Sequence, residues 1–156
     1  MLPPAPHFHR NGILLTAGLA GLVVVATLPP FVSAVAADRI MAAFAFVCHQ
    51  LPGRSLHVDG TSLAVCHRCF GAYAGFVVGS LAFLISHGGA LPPFRPYHIL
   101  VGAALPGFVD WMGDIVGIWT NSPLSRTVTG MWFGILAGLL LASAVLLPAV
   151  ASKRTA

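Results

Sequence analysis

Charge is what this sequence has least of. Eight Lys or Arg and four acids account for 8% of its 156 residues, against 57% apolar residues. A soluble domain carries about 25% charged residues, so a water-facing surface cannot be coated. That excludes a cytosolic enzyme, a nucleic-acid partner and a disordered tail together. An integral membrane protein, with lipid as its outer solvent, remains, and a mean hydropathy of +0.88 agrees. Cysteine is scarce as well. Three cysteines cannot all pair, so one chain holds no closed disulfide framework. The net charge of +4, carried by so few residues, reads as an orientation signal rather than an anion-binding surface.

What is present is apolar length. A spanning helix needs about 20 mostly apolar residues, and four stretches qualify: 13–37, interrupted by Pro29-Pro30, then 70–86, 97–119 and 127–150. The expected fold is all-α, a four-transmembrane-helix bundle forming one domain over residues 1–156, with a Cys/His loop at 38–69 between the first two spans. Arg10, the first apolar run and Ala34-Val35-Ala36 also resemble a cleavable secretory signal. The run is long for that role, and a retained span is expected. Glycines recur every four residues at Gly71, Gly75 and Gly79, at Gly130, Gly134 and Gly138, and at Gly113 and Gly117. Small residues so spaced let helix backbones approach closely, within the chain or across a homo-oligomer.

Four spans place both termini and the Gly88–Pro96 loop on one side, with Arg10, Arg95, Lys153 and Arg154. Arg39, Arg54, Arg68, Arg126 and all four aspartates fall to the other side. The positive counts tie. The charge sum favours cytoplasmic termini, with the loop on the extracytoplasmic face. In either orientation the Cys/His loop, the end of the third span and the start of the fourth share one side.

That side carries the chemistry. Cys66 and Cys69 form a C-x2-C pair, and Cys48-His49 adds a sulfur and a nitrogen, which together make a Cys3His tetrahedron suited to zinc. His67 and His57 are further candidate nitrogens. The same C-x2-C is also a thiol-redox motif, and free cysteines also serve as small core residues. Asp110 and Asp114, four apart, share a helix face. Counted from Trp119 at about 1.5 Å per residue, Asp110 lies roughly 13 Å below the membrane edge, a depth at which an ionisable side chain faces the bundle interior. Arg54, Arg68 and Arg126 would together bind phosphate or carboxylate, with internal salt bridging as the plainer alternative.

The pattern Cys48-His49-Gln50, Arg54-Ser55, Cys66-His67-Arg68-Cys69-Phe70-Gly71-Ala72-Tyr73-Ala74-Gly75, then Asp110, Asn121, Arg126 and Thr129-Gly130 resembles a domain-of-unknown-function family of small prokaryotic polytopic membrane proteins. The resemblance implies Cys48, His49, Cys66 and Cys69 as the ligand set over His57 and His67. It also implies that Arg54, Arg68, Tyr73, Asp110, Asn121 and Arg126 act as one constellation. The family continues Asp-Gly after its late aspartate where this chain has Asp110-Trp111, which leaves both Asp110 and Asp114 open for that role, with Asp110 preferred.

The leading expectation is a zinc-containing membrane hydrolase or binder of an anionic, lipid-like ligand. In it Asp110 serves as base, Arg54 and Arg126 stabilise developing charge, and Arg68, Tyr73, Asn121 and Asp114 bind substrate. The alternatives are a metal carrier or sensor without catalysis, and a membrane thiol–disulfide oxidoreductase using Cys66 and Cys69.

Overall fold

The computed structural model describes residues 6–87 and 95–151. Lys153, Arg154 and most of the Gly88–Pro96 loop lie outside them. Helix α1 (Pro6–Thr27) ends where Pro29 and Pro30 enter a 3₁₀ turn, Pro29–Phe31. Proline has no N–H to continue the ladder, so the first apolar stretch divides, and its second part becomes the short α2 (Ala34–Phe44).

The region expected as a polar loop is built. A 3₁₀ turn at Pro52–Arg54 leads into the antiparallel strands β1 (Ser55–Val58) and β2 (Thr61–Cys66). The fold is therefore helical but not all-α. Asp59-Gly60 closes this hairpin with φ of +49° and +80°, the left-handed pair that a two-residue turn between strands requires.

Helix α3 (His67–Ile85) follows without a linker, then α4 (Pro96–Ile115) and α5 (Pro123–Ala151). Among the described residues, three helices are long and apolar enough to cross a membrane: His7–Thr27, His67–Ile85 and Pro123–Leu147. The stretch expected as the third span is shorter than anticipated. Helix α4 stops at Ile115, with Pro106 inside it and Asp110 and Asp114 in its last turns.

The glycine ladders interlock within the chain. A Cβ on Gly71, Gly75 or Gly79 would run into the backbone at Thr127, Met131 or Ile135, and one on Gly130, Gly134 or Gly138 into that at Arg68, Ala72 or Phe76. Both series rise together, so α3 and α5 lie parallel, backbone against backbone. The ladder glycines thus serve packing within the chain. Gly113 and Gly117 serve otherwise. Gly117, at φ +74°, ends α4 in a Schellman turn, with Ile118 N–H donating to Gly113 O at 2.9 Å and Gly117 N–H to Asp114 O at 3.4 Å. The chain then folds back so that the Trp119 ring covers Gly113.

One apolar core, Phe8, Phe83, Leu84, Leu139, Ala142 and Leu146, closes the end where α1 begins. A second, Ala26, Phe44, Cys48, Ala64 and Val65, packs the hairpin and α2 onto the opposite end.

Candidate metal centre and adjoining cavity

Three elements deliver the thiols. Cys48 follows the end of α2, its N–H donating to Phe44 O at 2.9 Å, and it is buried. Gln50 fixes this segment over the hairpin: its Nε2 donates to Met41 O at 2.7 Å and to Ala64 O at 2.9 Å. Cys66 is the last residue of β2 and the N-cap of α3, and Cys69 lies in the first turn of α3. The three sulfurs lie within 4.8 Å of one another. A tetrahedral zinc with Zn–S near 2.3 Å would hold them about 3.8 Å apart, so the spacing suits one metal ion with little adjustment.

The electrostatics favour thiolate. The Cys69 thiol, backbone N–H groups of the first helical turn and the Cys48 thiol pull the Cys66 pKa down from 9.0 to about 5, against the opposing effect of burial. Cys66 N–H also donates to Cys48 Sγ at 3.2 Å, an N–H···S bond of the kind that stabilises a charged sulfur.

The histidines stand apart from this group. His49 is exposed and is not among the gathered ligand atoms, so the expected Cys3His set assembles as three thiols. His67 is buried, and its Nδ1–H donates to Arg54 O at 2.5 Å, tying the start of α3 to the entry of the hairpin. His57 Nδ1–H donates to Ser55 O at 3.0 Å.

Arg68 and Arg126 are joined through Asp110 and Asn121, and Arg54 is exposed on the hairpin side. Arg68 reaches across to α4, and its Nη2 donates to Asp110 Oδ2 at 2.6 Å. Asp110 is buried and is the counter-ion of this guanidinium. Arg126 Nε donates to Asn121 Oδ1 at 2.6 Å. Asn121 N–H in turn donates to Asp114 Oδ1 at 3.1 Å, and Asn121 Nδ2 to Asp110 O at 3.5 Å. Arg54 is exposed on the 3₁₀ turn, its N–H donating to Leu51 O at 2.9 Å and its carbonyl accepting from His67. Tyr73 packs against the buried hairpin core, 6.3 Å from the Phe44 ring. With Trp119 folded back onto Gly113, the depth of Asp110 falls from the expected 13 Å to about 7.5 Å below the end of α4.

Beside the thiols lies a cavity of about 530 Å³ between α3, α4 and α5. Arg68, Cys69 and Ala72 form one wall, Ala103, Ala104, Gly107, Phe108 and Trp111 the second, and Thr129, Gly130 and Phe133 the third. Sequence reasoning did not find it. Its signal was Ala103, Ala104 and Gly107, small residues on the part of α4 that borders the cavity.

A family model described as a predicted membrane protein, DUF2085, matches residues 48–140. The chain belongs to the DUF2085 family. That span begins at Cys48 and takes in the hairpin, all three thiols and the Arg68–Asp110 pair, so the DUF2085 segment is the part that builds this site. An uncharacterized protein of the archaeon Methanocaldococcus jannaschii, MJ1492, is 33% identical over 97 residues, covering 61% of each chain. No solved structure matches.

Proposed function

We propose that this DUF2085 protein is a single transmembrane domain that holds one zinc ion through Cys48, Cys66 and Cys69. The gathering of three sulfurs within 4.8 Å, from α2, β2 and α3, carries the reading. Soft thiolates select zinc over magnesium or calcium. Bound there, the ion would supply a Lewis acid, with its fourth position left to water, a ligand or a swing of His49. The chain's own residues hold that position: Gln50 pins the Cys48 segment, His67 anchors the first turn of α3, and Arg68–Asp110 joins α3 to α4.

The parallel packing of α3 and α5 supports a four-span arrangement. Two consecutive spans running in one direction require the chain between them to return, and the 20 residues of α4 reach about 30 Å, enough to cross the hydrocarbon core. With the basic terminal side in the cytoplasm of a prokaryotic cell, the thiol end faces the extracytoplasmic side. An anionic, lipid-like substrate finds weaker support, because the Arg68 charge is already matched by Asp110.

Metal analysis of the protein purified without added chelator is the test. About one zinc per chain, lost together with Cys66→Ser, is expected. A metal-free protein whose three thiols titrate freely overturns the reading. A second reading, a thiol–disulfide oxidoreductase, draws on Cys66 standing at the N-terminus of α3 as the more acidic thiol of a C-x2-C pair. A Cys66–Cys69 disulfide found by mass spectrometry in native membranes would favour it over zinc.

A further inference from the structure

We infer that the cavity between α3, α4 and α5 binds an uncharged amphiphile whose head is a flat, carbonyl-bearing ring, the chemistry of a quinone. The inference does not depend on the metal. Its volume, about 530 Å³, is that of a small-molecule site, and it follows α4 from Ala103 to Trp111, about 12 Å of helix. One end is polar and the other apolar. Arg68 and Cys69 lie at the end near the hairpin, while Ala103 and Phe133 line the deeper part. Phe108 and Trp111 border the cavity and are themselves exposed on the outer surface of the helices. A ligand therefore enters sideways from the lipid, head towards Arg68 and tail towards Ala103.

The choice of head follows from charge and hydrogen bonding. Arg68 is neutralised by Asp110 at 2.6 Å, and no other charged side chain lines the cavity, so nothing there favours an anionic head. Yet Arg68 Nε is buried and makes no hydrogen bond. A buried N–H without a partner is costly, and a carbonyl oxygen supplies the missing acceptor without adding charge once a small turn of the Arg68 side chain opens Nε to the cavity. The flanking rings of Phe108, Trp111 and Phe133 suit a planar head through stacking or edge contacts.

The full-length protein in detergent, titrated with a decyl-substituted benzoquinone, tests this through tryptophan fluorescence. Saturable quenching is expected, with its larger share lost in Trp111→Phe. Gly107→Leu should weaken the affinity at least about tenfold by filling the cavity; a Cβ there has open space, with Thr129 Cβ 4.0 Å away. Ala104→Phe fills the same wall from an exposed position and guards against misfolding of the first variant. Arg68→Lys, which keeps the charge opposite Asp110 but removes the Nε donor, should weaken it about tenfold. Quenching that rises linearly without saturation overturns the inference. So does quenching unchanged in both cavity-filling variants, or displacement of the quinone by decyl phosphate at lower concentration. Quenching retained in Cys48→Ser, which lacks one metal ligand, upholds the inference even if the metal reading fails.

Discussion

Small residues do opposite things at two interfaces of α5. Against α3, glycines at every fourth position bring the two backbones into contact and leave no space between them. Against α4, Ala103, Ala104 and Gly107 face a cavity that no side chain among the described residues fills. Composition is similar at the two interfaces, and the partner decides the outcome. Where glycine meets glycine in matching register, the backbones close. Where small residues face Arg68 and Phe133, the larger side chains hold the helices apart.

Substitutions can break this contrast. The largest effect is expected at the closed interface. Gly75→Leu would drive a side chain into the Met131–Ile135 backbone, and a loss of about 3 kcal/mol or more, read by denaturant-induced unfolding in detergent, should follow. Asp110→Asn comes next. It leaves Arg68 without its counter-ion, and about 2 kcal/mol of destabilisation is expected, less than for a fully buried pair because Arg68 is one-third exposed. Gly107→Ala, at the open interface, should change stability by less than about 0.5 kcal/mol. A loss there comparable to that of Gly75→Leu would show that the two interfaces are equally tight.

The thiol end yields a pH prediction that tests the same division between filled and open space. The Cys66 pKa is lowered to about 5 in the folded state from an ordinary 9.0. Its ionisation therefore stabilises the fold fully above pH about 9, and this contribution fades as the pH falls towards 5. In chelator-treated protein, alkylation of Cys66 should reach half its plateau rate near pH 5, well below that of an ordinary thiol. Metal retention should fail across the same acidic range. A half-plateau near pH 9 would mean that the folded protein does not assemble the triad.

Much of the plan was legible because it depends on local spacing. The C-x2-C pair, the two glycine ladders and the convergence of Cys, Arg and Asp residues at one end all follow from residues a few positions apart. The hairpin, expected as a loop, has a local sign as well, since Asp59-Gly60 between two short runs marks a tight turn. What the sequence could not reveal depends on long-range geometry. Arg68 and Asp110 are 42 residues apart, and nothing near either announces its partner. His49 neighbours a ligand in sequence, yet successive side chains leave the backbone in different directions, and its ring ends at the surface. Trp119 was a plausible membrane anchor until Gly117 turned the chain back on itself.

The parallel course of α3 and α5 has one further consequence, an electrostatic one. Each helix carries roughly half a positive charge at its N-terminus, and both N-termini lie at the thiol end, Cys66 capping one and Pro123 opening the other. Three thiolates crowded at the edge of a low-dielectric layer would repel one another strongly. Here the two aligned dipoles offset part of that repulsion. The glycines that set the register thereby help determine how much negative charge the site can carry.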